Sequence, residues 1–472
     1  MRKKKVQVLR GIRVTGYAAE GKALAKQDGK VIFIEGAVPG DLVDVRLTKS
    51  KKDWAEGKVQ EIIEYSTQRT DPFCEHFGVC GGCKWQMLPY ELQLKYKQEE
   101  VEQQLRRIGK VKLPPIQPIL GSEKTRYYRN KLEFTFSSKR FIPYSVARSG
   151  ESLSDDQLKP ALGFHVPGIF DKVVDVQQCF LQDDPSNAIR NEARSFALAN
   201  DFSFYDIRNH AGWLRNLMVR VCTTGEVMVN LVTGADEPEN RKMMMDHLLA
   251  KFPSITSFFY TINTKFNDSI HDLEPVCFMG NPFATEMLGE LKFRIGPKSF
   301  FQTNTRQAER LYEVTKQFAE LTGTETVYDL YCGTGSIGLF VSDLAKKIIG
   351  VEVIAEAIRD AKINAEINGI NHARFFAGDV IDVCDEQFFH REGKPDVIIT
   401  DPPRAGMHEK LVNKIKEIAA PKVVYVSCNP ATQARDLALL DELYSVERIQ
   451  PVDMFPHTHH IENIVQLKYR NV

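Results

Sequence analysis

One cysteine stands where an apolar run ends. Val423–Val426 reads VVYV, and Ser427, Cys428, Asn429 and Pro430 follow at once. Asn-Pro stops a strand, so the thiol falls at a strand's carboxyl end, where open α/β sheets bind their ligands. A thiolate there is a nucleophile waiting for an electrophilic carbon. A second group of the right type is Glu462 in HTHHIENIVQL, between a polar loop and an apolar run. Its carboxylate is a candidate general base facing the same crevice.

Acids recur at other strand ends. DLYCGTGSIG (329–338) follows an apolar run and opens a helix, with glycines at 333, 335 and 338 that let a ligand approach the backbone. Glu352 closes the next apolar run, at the spacing where a carboxylate binds ribose hydroxyls. Asp379 ends the third run, in AGDV, near where an adenine amine would lie, and Asp401 ends the fourth, in DPPR. A dehydrogenase would also use GTGSIG, but it has no use for DPPR and SCNP downstream.

The remaining thiols of interest lie far upstream. Cys74, Cys80 and Cys83 sit in DPFCEHFGVCGGCK, and Cys179 in VVDVQQCFLQ is a remote fourth. Four thiolates hold either a [4Fe–4S] cluster or a tetrahedral zinc ion, and spacing alone leaves both open. Cys222, Cys277, Cys332 and Cys384 read as small core residues. His457, His459 and His460 invite a metal, but only Glu462 lies at helpful spacing, and a polar loop is the stronger reading.

The elements that must position these groups follow from pattern. From about residue 295, TVYDLYC, KIIGVEV, ARFFAGDV, PDVIITDPP and KVVYVSCNP read as strands alternating with helices such as IAEAIRDAKINAEINGI. That alternation predicts a parallel sheet covered by helices, with ENIVQLKY as a closing strand. Residues 5–63 carry short β-type runs punctuated by Gly and Pro, which predict a small barrel. YELQLKYKQEEVEQQLRRIG (90–109) has helical periodicity, with Pro114, Pro115 and Pro118 expected to end it. Residues 126–290 read as mixed α+β structure.

The chain has 472 residues, 43% hydrophobic and 26% charged, and its formal net charge is zero. Residues 1–60 hold 14 Lys and Arg against 7 Asp and Glu, so a basic module sits on an acidic body. Such a module anchors a polyanion. YYRNKLEF (127–134) sets Arg129 and Lys131 among aromatics, which suits looped RNA as well as a strand with one solvated face. No stretch reads as a signal peptide or membrane span, and nine cysteines without a secretory signal predict a reduced, cytoplasmic setting. A monomer is expected.

The run GKALAKQDGKVIFIEGAVPGDLVDVRL resembles a TRAM domain, an OB-like RNA-binding barrel. The glycine turn with Glu352, Asp379 and Asp401 resembles the class I S-adenosylmethionine-dependent methyltransferases. SFFQTN, DLYCGTGSIG, DPPRAGM, SCNPATQARD and HHIENI together resemble the RNA (uracil-5-)-methyltransferases, specifically the iron–sulfur, TRAM-containing branch acting on 23S ribosomal RNA. The resemblance implies a multidomain α/β chain. Its parts would be an RNA-binding barrel at 1–65, a central α+β domain with the cluster at 66–290, and a Rossmann-like methyltransferase domain at 291–472. It implies Cys428 as nucleophile, Glu462 as base, and Gln302, Tyr331, Ser336, Glu352, Asp379 and Asp401 around cofactor and target. Ser336 stands where some relatives have Asn, and Phe300 is a candidate base contact or core residue. It favours a [4Fe–4S] cluster over zinc on Cys74, Cys80, Cys83 and Cys179, and 23S rRNA over tRNA as partner. An exocyclic-amine methyltransferase and a non-catalytic RNA-binding factor are the rival classes.

Overall fold

The computed structural model describes residues 7–147 and 152–470. Its first sheet has six strands: Val8–Arg13, Gly16–Tyr17, Ala23–Gln27, Lys30–Glu35, Leu42–Ser50 and Trp54–Glu64. In space they run first, fifth, sixth, fourth, third, second. The first two strands are nearly continuous in sequence yet lie at opposite edges. The sheet must therefore curl until its edges approach, which is the barrel read from the sequence. Ile12, Ala25, Ile32, Ile34, Val43 and Val45 fill its core.

After the cysteine loop comes the helix Tyr90–Gln104, which widens into one π turn over Leu105–Gly109. Lys110 ends it in the left-handed region, at φ 54°. This corrects the expectation that the prolines end the helix: a left-handed residue turns the chain out of the helix before it reaches Pro114. Val101 and Leu105 join the apolar core of the last sheet.

The central sheet has seven strands, and the helices Ser186–Ala199 and Pro238–Lys251 pack onto its core through Ile189, Ala193, Ala197, Met244 and Leu248. Cys277 lies on its edge strand Val276–Gly280 and is half-buried, so it is not the core residue expected, because an edge strand covers only one side of its residues.

The last sheet carries the cofactor-type pattern. Its strands are β1 (Thr326–Leu330), β2 (Lys347–Glu352), β3 (Ala373–Ala377), β4 (Val397–Thr400), β5 (Lys422–Ser427), β6 (Tyr444–Val452) and β7 (Glu462–Tyr469). They run β3-β2-β1-β4-β5-β7-β6, parallel from β3 through β5, with β7 antiparallel to both neighbours. Residues alternate between two cores: Val327, Ile348 and Ile399 enter one, and Tyr328, Ile349 and Ile398 the other. Burial on both faces explains why these strands read as continuous apolar runs.

The helix Tyr90–Gln104 is fastened to the connection between β6 and β7. Lys97 Nζ donates to Asp453 Oδ1 at 2.6 Å, and both side chains are 0% exposed. Tyr90 Oη donates to the other carboxylate oxygen at 2.8 Å. Removing one charge of such a pair strands the other without solvent. Lys97→Met should therefore lower the free energy of unfolding by about 3–5 kcal/mol, while Lys97→Met with Asp453→Leu recovers most of it. Urea denaturation of the two variants measures the difference.

Candidate active site

The turn after β1 is built to approach a ligand. Tyr331 and Cys332 both donate backbone N–H to Val351 O, at 3.0 and 3.2 Å, and Tyr331 takes a left-handed φ of 62°. Gly335, at φ 80°, opens the helix Ser336–Phe340, and a side chain there would press on Phe375 at 3.0 Å. Asp329 lies dry beneath the turn and accepts from Gly338 N at 2.8 Å. Burial raises its carboxyl to about 7.

Around this turn stand the residues singled out from sequence. Glu352 closes β2 and accepts from Gly333 N at 3.3 Å and Ile354 N at 3.0 Å, which ties it to the glycine turn. Ser336 Oγ lies 3.0 Å from Tyr312 Oη. Asp379 stands two residues beyond β3, exposed, and caps the helix Val380–Val383 by accepting from Ile381 N. Asp401 follows β4 and donates its N–H to Leu330 O at 3.4 Å, beside Tyr331. Gln302 is buried, and its carbonyl accepts from Asn130 of the central domain at 3.0 Å. Phe300 is 71% exposed, so core packing is not its role.

Cys428 stands one residue past β5. Asn429 caps the helix Pro430–Leu440 by accepting from Ala431 N, and Pro430 occupies its first turn. The Asn-Pro pair is thus a helix start as well as a strand stop. The thiol sits at the positive end of that helix, which favours its anion. The β5–β7 ladder pairs Val426 with Ile464 and Ser427 with Asn463. Continued by one position, it sets Cys428 opposite Glu462, so the two share a face. Glu462 is the first residue of β7 rather than part of the loop before it, and it is buried.

The electrostatics follow from crowding. Burial, then Glu462 and Asp401, raise the Cys428 thiol to about 12, and Arg404 opposes them. Burial, then Asp401, raise Glu462 well above the usual carboxylate range, again opposed by Arg404. Burial raises Asp401 to about 7. One cation therefore faces a thiol and a carboxyl that each resist ionisation. Arg404 is held by a hydrogen bond to His460 Nδ1, and its carbonyl accepts from Asn429 Nδ2 at 3.1 Å. The arginine of DPPR carries no signal of this role in the sequence, since nothing in one motif shows which other loop the guanidinium will meet.

The four upstream cysteines also converge. Cys74, Cys80, Cys83 and Cys179 line one cavity of about 140 Å³ with His76, Arg129 and apolar side chains. Burial pushes Cys80 to about 12 and Cys83 to about 11, and in each the neighbouring thiols add to the rise. Soft donors crowded around one cavity fit a bound cation-bearing group, which would reverse that rise. The thiols surround a space rather than a point: among the described residues, no three of His, Cys, Asp or Glu close on a single ion position. Arg129 reaches from this cavity to within 5.0 Å of the Phe455 ring, in the β6–β7 connection. Among the described residues no helix is long and apolar enough to cross a membrane.

Comparison with known proteins fits this geometry. A family model described as tRNA (uracil-5-)-methyltransferase matches residues 287–470, and a TRAM domain model matches residues 2–60. An uncharacterised RNA methyltransferase of Bacteroides thetaiotaomicron is 53% identical over 96% of this chain and all of its own length. One of Porphyromonas gingivalis is 48% identical over 97% of this chain and 99% of its own. Among solved structures, the Pyrococcus abyssi tRNA (uracil-54, C5)-methyltransferase in complex with S-adenosyl-L-homocysteine is similar at a TM-score of 0.74. It is 26% identical, and the match covers 97% of this chain and all of that one.

A raised thiol reacts slowly with alkylating reagents. Without RNA, carboxymethylation of Cys428 should be slow near neutrality and climb about tenfold per pH unit as the thiolate grows. Glu462→Gln removes one of the charges that raise the thiol wherever that carboxyl is ionised, so it should speed the reaction at pH values above the Glu462 titration and leave it unchanged below. Mass spectrometry of the peptide spanning Cys428 reads both.

Proposed function

The chain belongs to the S-adenosylmethionine-dependent RNA methyltransferases that join a TRAM domain to a (uracil-5-)-methyltransferase domain, and we propose that it methylates C5 of a particular uridine in RNA, with 23S ribosomal RNA as the target on the resemblance of its motifs alone. The observation that carries this reading is that Cys428 and Glu462 each stand just beyond the last rung of the β5–β7 ladder, Ser427–Asn463, close enough for Glu462 to raise the thiol. Uracil C5 is a weak nucleophile. Addition of the Cys428 sulfur to C6 moves the C5–C6 π electrons toward C4–O4, giving an enolate, and C5 then attacks the sulfonium methyl. S-adenosylhomocysteine leaves, and C5 holds both the methyl and its original proton. Glu462 takes that proton, the electron pair restores the C5–C6 double bond, and the C6–S pair returns to Cys428 as thiolate. A thiol and a general base on one face supply what this sequence needs, whereas exocyclic-amine transfer needs no thiol.

The other groups take roles around that chemistry. Glu352, tied to the glycine turn, serves the ribose, with Asp379 on the adenine side and Tyr331 and Ser336 lining the methionine end. Gln302 and Asp401 complete the set of groups around the cofactor. The sulfonium adds a positive charge beside acids that burial has raised, which favours their ionised forms. The reacting uridine must leave its stack to reach Cys428. The basic barrel supplies phosphate contacts that carry no sequence information of their own.

Cys74, Cys80, Cys83 and Cys179 would hold a [4Fe–4S] cluster, supported by their shared cavity. Methyl transfer changes no oxidation state, so the cluster would contribute structure. Purified anaerobically, the protein should carry iron and acid-labile sulfide rather than zinc, and Cys179→Ala should lose both. A second reading, tRNA as the target, is favoured by the likeness to the Pyrococcus abyssi tRNA enzyme.

Trapping tests the chemistry. RNA bearing 5-fluorouridine at the target has no C5 proton to surrender, so a covalent adduct should accumulate. Cys428→Ala should abolish the adduct, and turnover with it. An adduct that survives this substitution would exclude Cys428 as nucleophile. Because the thiol and the carboxyls are all raised, the ionised forms grow with pH, and kcat/KM should rise through neutrality. Nucleoside mapping of 23S rRNA and tRNA from a deletion strain assigns the target: loss of a 5-methyluridine from 23S rRNA is expected, and loss from tRNA alone would move the assignment.

A further inference from the structure

Glu462 begins β7, and the connection that delivers the chain to it, residues 453–461, is held by a helix from far upstream. Gln93 and Lys97 lie one turn apart on Tyr90–Gln104, and both are fully buried. Lys97 Nζ donates to Asp453 Oδ1 and, at 3.2 Å, to Phe455 O. Gln93 Oε1 accepts from His457 N at 2.8 Å, and its Nε2 lies 3.1 Å from His457 Nδ1. His457 O in turn accepts from Lys84 N and Trp85 N, at 2.8 and 3.0 Å.

His457 needs that support. It sits in the left-handed region at φ 64°, which a non-glycine residue adopts only when its surroundings impose it. From His457 the connection runs through Thr458, whose Oγ1 accepts from His460 N at 3.2 Å. His460 holds the Arg404 guanidinium, the cation opposing the charges of Glu462 and Cys428. A continuous set of contacts thus leads from the helix to the reacting pair, and it enters at the Glu462 end.

We propose that Gln93 and Lys97 are positioning residues for product release, holding the 453–461 connection so that Glu462 and Arg404 meet the methylated intermediate in register. The inference rests on the reading of Cys428 as nucleophile and Glu462 as base. It concerns the step in which the C5–H bond breaks toward Glu462, its electron pair re-forms C5=C6, and the C6–S pair returns to Cys428. Addition of Cys428 to C6 starts from the β5 end and the helix Pro430–Leu440, to which neither side chain hydrogen-bonds; their bonds go to Trp85, Leu88 and the 453–461 connection. The competing account is that the Val452–Glu462 rung of the β6–β7 ladder alone fixes Glu462.

Gln93→Leu, close in size, separates the two accounts. Small displacements of a reacting group cost up to about a hundredfold. Turnover on ordinary uridine RNA should therefore fall about 10- to 100-fold, while the rate of trapping by 5-fluorouridine RNA, which feels only the shared Arg404, falls about tenfold less than turnover does. A covalent adduct with ordinary RNA, absent before, should then build up on denaturing gels during turnover. Lys97→Met with Asp453→Leu keeps the interior apolar, should show the same partition, and decides by the same criterion if Gln93→Leu does not fold. Unchanged turnover in the variants overturns the proposal in favour of the ladder. Trapping and turnover that fall together without adduct also overturn it, since a merely structural defect does that. Failure of the unaltered protein to trap 5-fluorouridine RNA would instead sink the Cys428 mechanism, and this inference with it.

Discussion

A dry ion pair joins two parts of the chain that lie more than three hundred residues apart. Lys97 and Asp453 have no water to share their charges, so the cost of burying them is met only by their 2.6 Å contact and by the hydrogen bonds around it. Tyr90, Phe455 N and Phe455 O complete those bonds. Such a pair tolerates little rearrangement, because any shift leaves a charge unpaired in an apolar interior. It fixes the helix after the cysteine loop against the sheet that carries the reaction.

The barrel meets the same joint. Gly21, at φ 70°, approaches so closely that a side chain there would lie 2.8 Å from His459 Cβ, and its carbonyl accepts from Trp85 Nε1 at 3.4 Å. Trp85 lies between the cysteine loop and the helix, and its ring packs on Tyr17 of the barrel. RNA-binding barrel, cysteine cavity and β6–β7 connection are therefore neighbours through a few side chains. Rigid placement of this kind suits an enzyme that must hold a folded RNA while one base is withdrawn into a crevice.

Within the crevice the protein gathers like charges and pays for them in protonation. Asp401 raises the proton affinity of both Cys428 and Glu462, Glu462 raises that of Cys428, and Arg404 is the counterweight. The arrangement keeps the thiol neutral while the site is empty of substrate and leaves ionisation to be favoured by a cationic cofactor. Asp329 plays a separate part under the glycine turn, where its carboxyl anchors the backbone that the cofactor approaches.

Much of the molecule was legible in the chain itself, because short-range rules govern it. Alternating apolar runs and helical periodicities gave the β/α order. Asn-Pro after VVYV put Cys428 at a strand end, and glycine spacing marked the turn before Ser336. Boundaries shifted only where local conformation overrode composition, as at Lys110, where a left-handed residue ended the helix before the prolines. Several relations were decided by the tertiary structure alone. They include Cys428 facing Glu462 across antiparallel strands, Arg404 reaching His460, Cys179 joining three thiols a hundred residues away, and Lys97 paired with Asp453. Each depends on long-range register and on which surfaces exclude water. Sequence spacing carries neither, since a periodic pattern names the buried face of an element but not the element it will be buried against.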